Sequence, residues 1–367
     1  MKQISVLIKP ASSLCNLRCK YCFYANVSSL REVRSYGKMQ ETITQKMIDQ
    51  IFVDLEDGDH LTLAFQGGEP MLVGLDYYQK VVSFVEAQKK NVEVHYAIQT
   101  NGTMINSRWC EFFRENDFLV GLSIDGPASY HDLNRIDAKG QGTFQRILKN
   151  KGLLDHYQID YNVLCVLTDS LAEEAEKVFY FLKENQINYI QFIPCLDDLD
   201  AKECSNYALT PKRFAAFYRR ILDLWLEELE RGNYISIKLF DDLCNLLVKR
   251  QVTACGILGN CQIQYVIEAD GSVYPCDFYV LDEYRLGYIQ DQTLRDLFEQ
   301  DRGKKFLCEG KIVSEMCNDC FFVKMCHGGC KRMKDAVYLD EAGFCGYQDF
   351  LRVFLPKLDH ILACVRR

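Results

Sequence analysis

The chain has 367 residues, 48% hydrophobic and 26% charged, enough for one large domain with an appendage or for two domains. Its 51 acidic residues outnumber 43 basic ones, for a formal charge of −8, which argues against a nucleic-acid-binding surface. No apolar run could span a bilayer, and Met1-Lys2-Gln3 leads straight into a strand with no cleavage pattern, so a cytoplasmic protein with neither membrane nor nucleic-acid partner is expected.

In chain order, the hydrophobic pattern predicts strands at Ile4–Lys9, Leu61–Gln66, Val92–Gln99, Phe118–Ser123, Ile159–Leu167 and Tyr189–Pro194. Segments of helical period lie between them, at Thr44–Leu55, Asp76–Lys89, Ser107–Asn116, Thr143–Asp155 and Leu171–Asn185. This alternation predicts a parallel α/β sheet with crossover helices, either a partial barrel or a doubly wound sheet. From Pro211 the pattern changes to a long amphipathic helix, Pro211 to Arg231, with Pro at its start. A cysteine-rich segment follows from Cys255 to Cys345, with an Asp-Gly hairpin signal at Ala269-Asp270-Gly271 between Gln264–Glu268 and Ser272–Tyr274. A final helix, Gln348 to Ala363, closes the chain.

Eighteen cysteines is far above ordinary usage, and their metal-ligand spacings with no export signal indicate a reducing compartment and metal clusters. Cys15, Cys19 and Cys22 follow the first strand in the spacing C-x3-C-x2-C. Three thiolates on one loop can hold three irons of a four-iron cluster and leave the fourth open to an outside ligand; a zinc site with one distant ligand is the competing reading. Gln66-Gly67-Gly68-Glu69-Pro70 ends the second strand, Gln99-Thr100-Asn101-Gly102 the third, and Ser123 the fourth, with Arg135 shortly after. Glycines let a backbone approach closely, and a carboxylate can receive an ammonium. A guanidinium with a hydroxyl suits a carboxylate ligand.

These residues resemble the radical S-adenosylmethionine (SAM) superfamily. The resemblance implies a partial (β/α)6 barrel over residues 1–232. It implies SAM on the open iron, with Gly68 and Glu69 toward its amine, Ser123 and Arg135 toward its carboxylate, and Tyr21 and Leu196 toward its adenine. An electron from the cluster would then split SAM to a 5′-deoxyadenosyl radical.

The later cysteines form two groups, Cys255-x5-Cys261-x14-Cys276 and Cys317-x2-Cys320-x5-Cys326-x3-Cys330-x14-Cys345. They resemble the SPASM extension, which would occupy residues 233–367. By that resemblance Cys255, Cys261, Cys276 and Cys330 hold one auxiliary four-iron cluster and Cys317, Cys320, Cys326 and Cys345 another, three 4Fe-4S clusters in all. Two zinc sites remain the alternative, because C-x2-C also occurs in zinc ribbons. Most of the seven other cysteines read as small buried apolar residues; Cys195 and Cys204 lie near the expected barrel mouth.

Within this group the chain resembles anaerobic sulfatase-maturating enzymes, on Leu7-Ile8-Lys9-Pro10-Ala11-Ser12-Ser13, Cys22-Phe23-Tyr24, Ala64-Phe65-Gln66-Gly67-Gly68-Glu69-Pro70 and Gly271-Ser272-Val273-Tyr274-Pro275-Cys276-Asp277-Phe278-Tyr279-Val280-Leu281-Asp282. The resemblance implies oxidation of a Cys or Ser in an unfolded sulfatase polypeptide to Cα-formylglycine, with Asp277 as the base. It also implies an electron donor such as flavodoxin or ferredoxin, and a monomer is expected. The alternative is a SPASM peptide maturase that crosslinks a ribosomal peptide.

Overall fold

The computed structural model describes every residue except 252–254, 257, 258, 260, 310–313, 366 and 367. Its strands are β1 (Gln3–Ile8), β2 (His60–Phe65), β3 (Glu93–Thr100), β4 (Leu119–Ser123), β5 (Tyr161–Leu167), β6 (Tyr189–Pro194), β7 (Ser236–Ile237), β8 (Val266–Ile267), β9 (Ser272–Tyr274) and β10 (Gly287–Tyr288). All six strands expected before Pro211 are present, each within a few residues of its expected bounds.

Two compact units divide the chain. The first comprises Met1–Ser123, Arg135–Tyr161 and Gln262–Glu309, the second Ile124–Asn134, Asn162–Cys261 and Gly310–Arg367. In the first, strand order is β10-β9-β8-β1-β2-β3-β4. β1, β2, β3 and β4 are parallel neighbours, with registers Ile8↔Phe65, Phe65↔Ile98 and Thr100↔Leu122. Leu61, Leu63 and Phe65 alternate with less buried neighbours, so one face of β2 is covered. The helix Leu75–Glu86 covers it with a stripe of Tyr77, Tyr78, Val81 and Val82. Phe65, Tyr78, Trp109, Phe112 and Phe118 interlock there; Phe65 and Tyr78 meet edge-on with centroids 5.0 Å apart.

The Asp-Gly hairpin is present but serves a purpose the sequence did not signal. β8 pairs in parallel with β1 through Leu7↔Val266 and Ile8↔Ile267, and returns as β9. The hairpin within the cysteine-rich segment therefore extends the first unit's sheet.

In the second unit β5, β6 and β7 run in parallel order. Thr210 caps the helix Pro211–Glu230, accepting from the Arg213 amide at 3.4 Å, with Pro211 in its first turn. Phe214 and Tyr218 of that helix meet Phe350 of the helix Gly346–Phe354. Two expected helices are interrupted. Leu171–Asn185 resolves into Asp169–Ala172 and Ala175–Glu184, because Glu174 leaves helical geometry. Gln348–Ala363 resolves into Gly346–Phe354 and Leu358–Val365, with Pro356 in the turn between them.

Candidate active site and cluster centres

The loop after β1 is held from three sides. The Gly68 amide donates to the Ser12 carbonyl at 2.9 Å, and the Glu69 amide donates to the Leu14 carbonyl at 2.8 Å. The Arg18 amide donates to the Ile136 carbonyl at 2.7 Å. Asn101 Nδ2 donates to Asn16 Oδ1 at 2.8 Å and lies 3.8 Å from Cys15 Sγ. The glycines are required by this docking. A Cβ on Gly68 would lie 2.1 Å from the Leu14 carbonyl oxygen, and Gly67 sits at φ +125° with Ser12 O 2.9 Å from where its Cβ would be. The close approach is thus between two backbone segments of the chain itself.

Cys15, Cys19 and Cys22 are half-buried, and among the described residues no cysteine is in a disulfide. The Leu17 amide donates to Cys15 Sγ at 3.4 Å. Burial pushes the Cys15 thiol up to about 11, helped by Glu69 and Cys22, so metal loading releases a proton there. Three soft donors on one loop, with N–H groups directed at sulfur, fit a thiolate-held cluster.

Glu69 is fully buried and both its oxygens are occupied. Oε1 accepts from Thr100 Oγ1 at 2.8 Å and from the Met71 amide at 3.1 Å, and Oε2 accepts from the Asn101 amide at 2.8 Å. Burial pushes its carboxyl up to about 7, opposed by these hydrogen bonds and by Arg135. Ser123 ends β4 and is buried. The Arg135 guanidinium lies 5.7 Å from the centroid of the Tyr21 ring. Tyr21, Gly68, Glu69, Ser123 and Arg135 thus all belong to the first unit, while Leu196 lies buried just past β6 in the second.

Asp277 follows Cys276 in a turn, Asp277–Tyr279, whose Phe278 ring packs on Phe23 at 4.9 Å. Gln66 Nε2 donates to Asp277 Oδ2 at 2.6 Å, and Lys9 Nζ lies 2.5 Å from Oδ1. Lys9 is fully buried, and its Nζ also lies 3.7 Å from the centroid of the Tyr24 ring. Next to it Arg31 Nη1 donates to Glu268 Oε1 at 2.8 Å, in a pair with no solvent exposure that Tyr24 Oη joins. Sequence reasoning missed Lys9, Gln66, Tyr24, Arg31 and Glu268 as site residues. Lys9, Gln66 and Tyr24 lay inside the motifs quoted for the resemblance without being assigned a role, whereas Arg31 and Glu268 carried no local signal.

In the second unit, Cys317, Cys320, Cys326 and Cys345 line one cavity with Met316, Phe322, Tyr338 and Tyr347. Burial raises the Cys317, Cys326 and Cys345 thiols, and neighbouring thiols add to it. Gln348 donates to two of them, from Nε2 to Cys320 Sγ at 3.1 Å and from its amide to Cys345 Sγ at 3.4 Å. Four sulfur donors around one cavity fit a fully protein-held cluster. Cys330 leaves this group. Its Cβ lies 3.2 Å from where a Cβ of Gly256 would be, beside Cys255, and Tyr338 Oη donates to the Gly256 carbonyl at 3.0 Å. Of the remaining cysteines, Cys110, Cys165, Cys195 and Cys364 are buried as expected, Cys244 is half-buried, and Cys204 and Cys308 are exposed.

Residues 10–182 match the radical SAM superfamily, and residues 255–321 match the iron–sulfur cluster-binding SPASM domain. A cysteine-type anaerobic sulfatase-maturating enzyme of Clostridium perfringens is 41% identical, over 98% of this chain and 99% of its own. The chain belongs to the anaerobic sulfatase-maturating enzymes. A serine-type member from Bacteroides thetaiotaomicron is 29% identical over 98% of this chain and 91% of its own. The solved structure of native anSMEcpe with bound AdoMet and Kp18Cys peptide superposes with a TM-score of 0.90 at 40% identity, covering 98% of this chain and 99% of that one. As a member of this family the chain is a radical SAM oxidoreductase, with a radical SAM barrel and a C-terminal SPASM domain.

Proposed function

We propose that this sulfatase-maturating enzyme works on a Cys of its sulfatase polypeptide, with Asp277 taking the thiol proton. The reaction of the family is oxidation of a Cys or Ser in a sulfatase peptide to Cα-formylglycine. The preference for Cys is supported by the 41% identity to a cysteine-type enzyme, against 29% to a serine-type one. Cys15, Cys19 and Cys22 would hold the SAM cluster, and Tyr21, Gly68, Glu69, Ser123, Arg135 and Leu196 would contact SAM. Cys255, Cys261, Cys276 and Cys330 would hold one auxiliary cluster, and Cys317, Cys320, Cys326 and Cys345 the other, with the barrel over 1–232 and the SPASM domain over 233–367. When bound, these groups supply a carbon radical for hydrogen abstraction and an acceptor for the second electron.

The observation that carries the base assignment is the grip on Asp277. Lys9 and Gln66 each hold one carboxylate oxygen, at the C-terminal ends of β1 and β2, next to Cys276. Those two contacts fix the orientation of the carboxyl group beside Cys276, the positioning that general-base work needs. No helix among the described residues is long and apolar enough to cross a membrane. A cytoplasmic monomer reduced by a flavodoxin or ferredoxin completes the reading.

The test is anaerobic incubation with SAM, reductant and paired Cys-x-Pro-x-Arg and Ser-x-Pro-x-Arg peptides, read by mass spectrometry. Formylglycine is expected from both or from Cys alone, and faster from Cys. Faster conversion of Ser overturns the Cys preference, and an internal crosslink without aldehyde points to a crosslinking maturase.

A further inference from the structure

At the opposite ends of the same strands stands a group that none of this chemistry uses. β2 and β3 pair in parallel with His60 opposite Glu93 and Thr62 opposite His95. Residues two apart on a strand share a face, and paired residues on parallel neighbours do too, so His60, Glu93 and His95 rise from one face. They sit at the N-terminal ends of the strands, whereas Glu69 and Asn101 follow the C-terminal ends. At about 3.3 Å per residue, His95 and Asn101 are roughly 20 Å apart along the chain direction.

The three side chains already converge. His60 Nδ1 lies 3.1 Å from Glu93 Oε2, and His95 Nε2 lies 3.2 Å from Glu93 Oε1. The imidazole planes are within 4° of parallel, with centroids 6.4 Å apart. One ligand atom from each residue falls within 4.8 Å of the other two. Side-chain exposures of 26%, 60% and 57% for His60, Glu93 and His95 leave the group open to water. Their backbones are anchored: the His60 amide donates to the Lys2 carbonyl at 2.9 Å, and the Glu93 amide donates to the Asp59 carbonyl at 2.9 Å.

We propose that His60, Glu93 and His95 bind one divalent cation of the zinc class, through two imidazole nitrogens and one carboxylate oxygen, with water completing the shell. Two imidazoles and a carboxylate suit zinc, cobalt and nickel, whereas magnesium and calcium take oxygen donors. With metal–nitrogen bonds of about 2.1 Å, tetrahedral ligand atoms stand about 3.4 Å apart. The donors therefore need to close by little more than about 1 Å, which exposed side chains achieve by rotation. Before metal arrives, Glu93 holds both rings toward the future ion. The bound ion ties β2 to β3 at the end of the sheet remote from the chemistry, so its effect falls on stability and not on turnover.

The experiment uses the cluster-loaded enzyme, whose ligand cysteines are already occupied, and titrates it anaerobically with Co2+ alone. One equivalent is expected to bind with d–d bands characteristic of nitrogen and oxygen ligands and without thiolate charge transfer. His60→Gln and His95→Gln each weaken binding by at least about tenfold, the effect that even an outer ligand partner can have. Zn2+ raises the melting temperature of the parent and leaves that of the double variant unchanged. Formylglycine yield and iron content stay at parent level in both variants, which also reports that they fold. Equal Co2+ binding by parent and double variant, thiolate charge-transfer bands accompanying it, or no saturable binding overturns the proposal.

Discussion

A lysine buried at the end of a parallel strand keeps its charge only beside an anion, because an unpaired buried charge is costly. Lys9 finds that anion in Asp277 and a π face in Tyr24. Asp277→Asn preserves the shape and can keep the Gln66 contact, but it removes both the proton acceptor and the anion beside Lys9. SAM cleavage is expected to continue while formylglycine formation falls by at least about a hundredfold, read by chromatography of 5′-deoxyadenosine and mass spectrometry of the peptide. Parent-like product removes Asp277 from the mechanism, and loss of auxiliary iron makes it a structural neighbour of Cys276. Glu69 makes a pH prediction. Its carboxyl is raised from 4.5 to about 7, so near and below neutrality the protonated, uncharged form is populated. Only the carboxylate pairs with an ammonium. SAM affinity should therefore fall as pH drops through about 7, toward tenfold per unit, and level off above it. Glu69→Gln should bind SAM weakly with no such slope; equilibrium binding across pH checks both, and an unchanged slope in the variant excludes Glu69 as its source.

Among the elements, the turn after β2 and the loop after β1 act as one piece, joined by the Gly68 and Glu69 amides. Gly68→Ala inserts a methyl 2.1 Å from the Leu14 carbonyl, a backbone atom that cannot swing aside. The loop must move, and three thiols positioned within it move with it. Iron content is expected to drop by about four per chain, with SAM cleavage lost, while the SPASM iron stays. Retention of full iron and full cleavage in Gly68→Ala would sink the idea that this contact positions the cluster loop. The helix Phe23–Ser29 and the hairpin of β8 and β9 are linked in the same way, by Tyr24, Arg31 and Glu268 in a buried polar group. Removing one partner of such a pair typically costs about 3–5 kcal/mol, so this network anchors the hairpin to the segment that follows the Cys15–Cys22 loop.

For the whole molecule, metal content distinguishes the readings. Reconstituted enzyme is expected to hold about twelve irons, four for each of three clusters, and no zinc beyond the one divalent ion that His60, Glu93 and His95 can take. Cys317→Ala with Cys320→Ala should leave about eight irons, and replacing Cys15, Cys19 and Cys22 should leave about eight with no SAM cleavage. Iron and zinc analysis checks this; about four irons with two zincs would assign the C-terminal cysteines to zinc. The cysteine spacings, the six-strand alternation and the Gly67-Gly68-Glu69 turn were legible because each is a local pattern, set by strand period, loop length or ligand reach. The helices around Glu174 and Pro356 were legible in period but not in their breaks, which depend on single-residue backbone geometry. What the glycines approach, and what holds Asp277, was not legible. Gln66 and Asp277 are 211 positions apart, and Arg31 and Glu268 are 237 apart. The sequence by itself determined the family, the spacing of the candidate metal ligands and the barrel strands, since these depend on residue types at short spacing. Only the tertiary structure decided that β8 would pair with β1, bring Asp277 to Lys9 and extend the first unit's sheet, because pairing between distant strands depends on register and burial that no local spacing encodes.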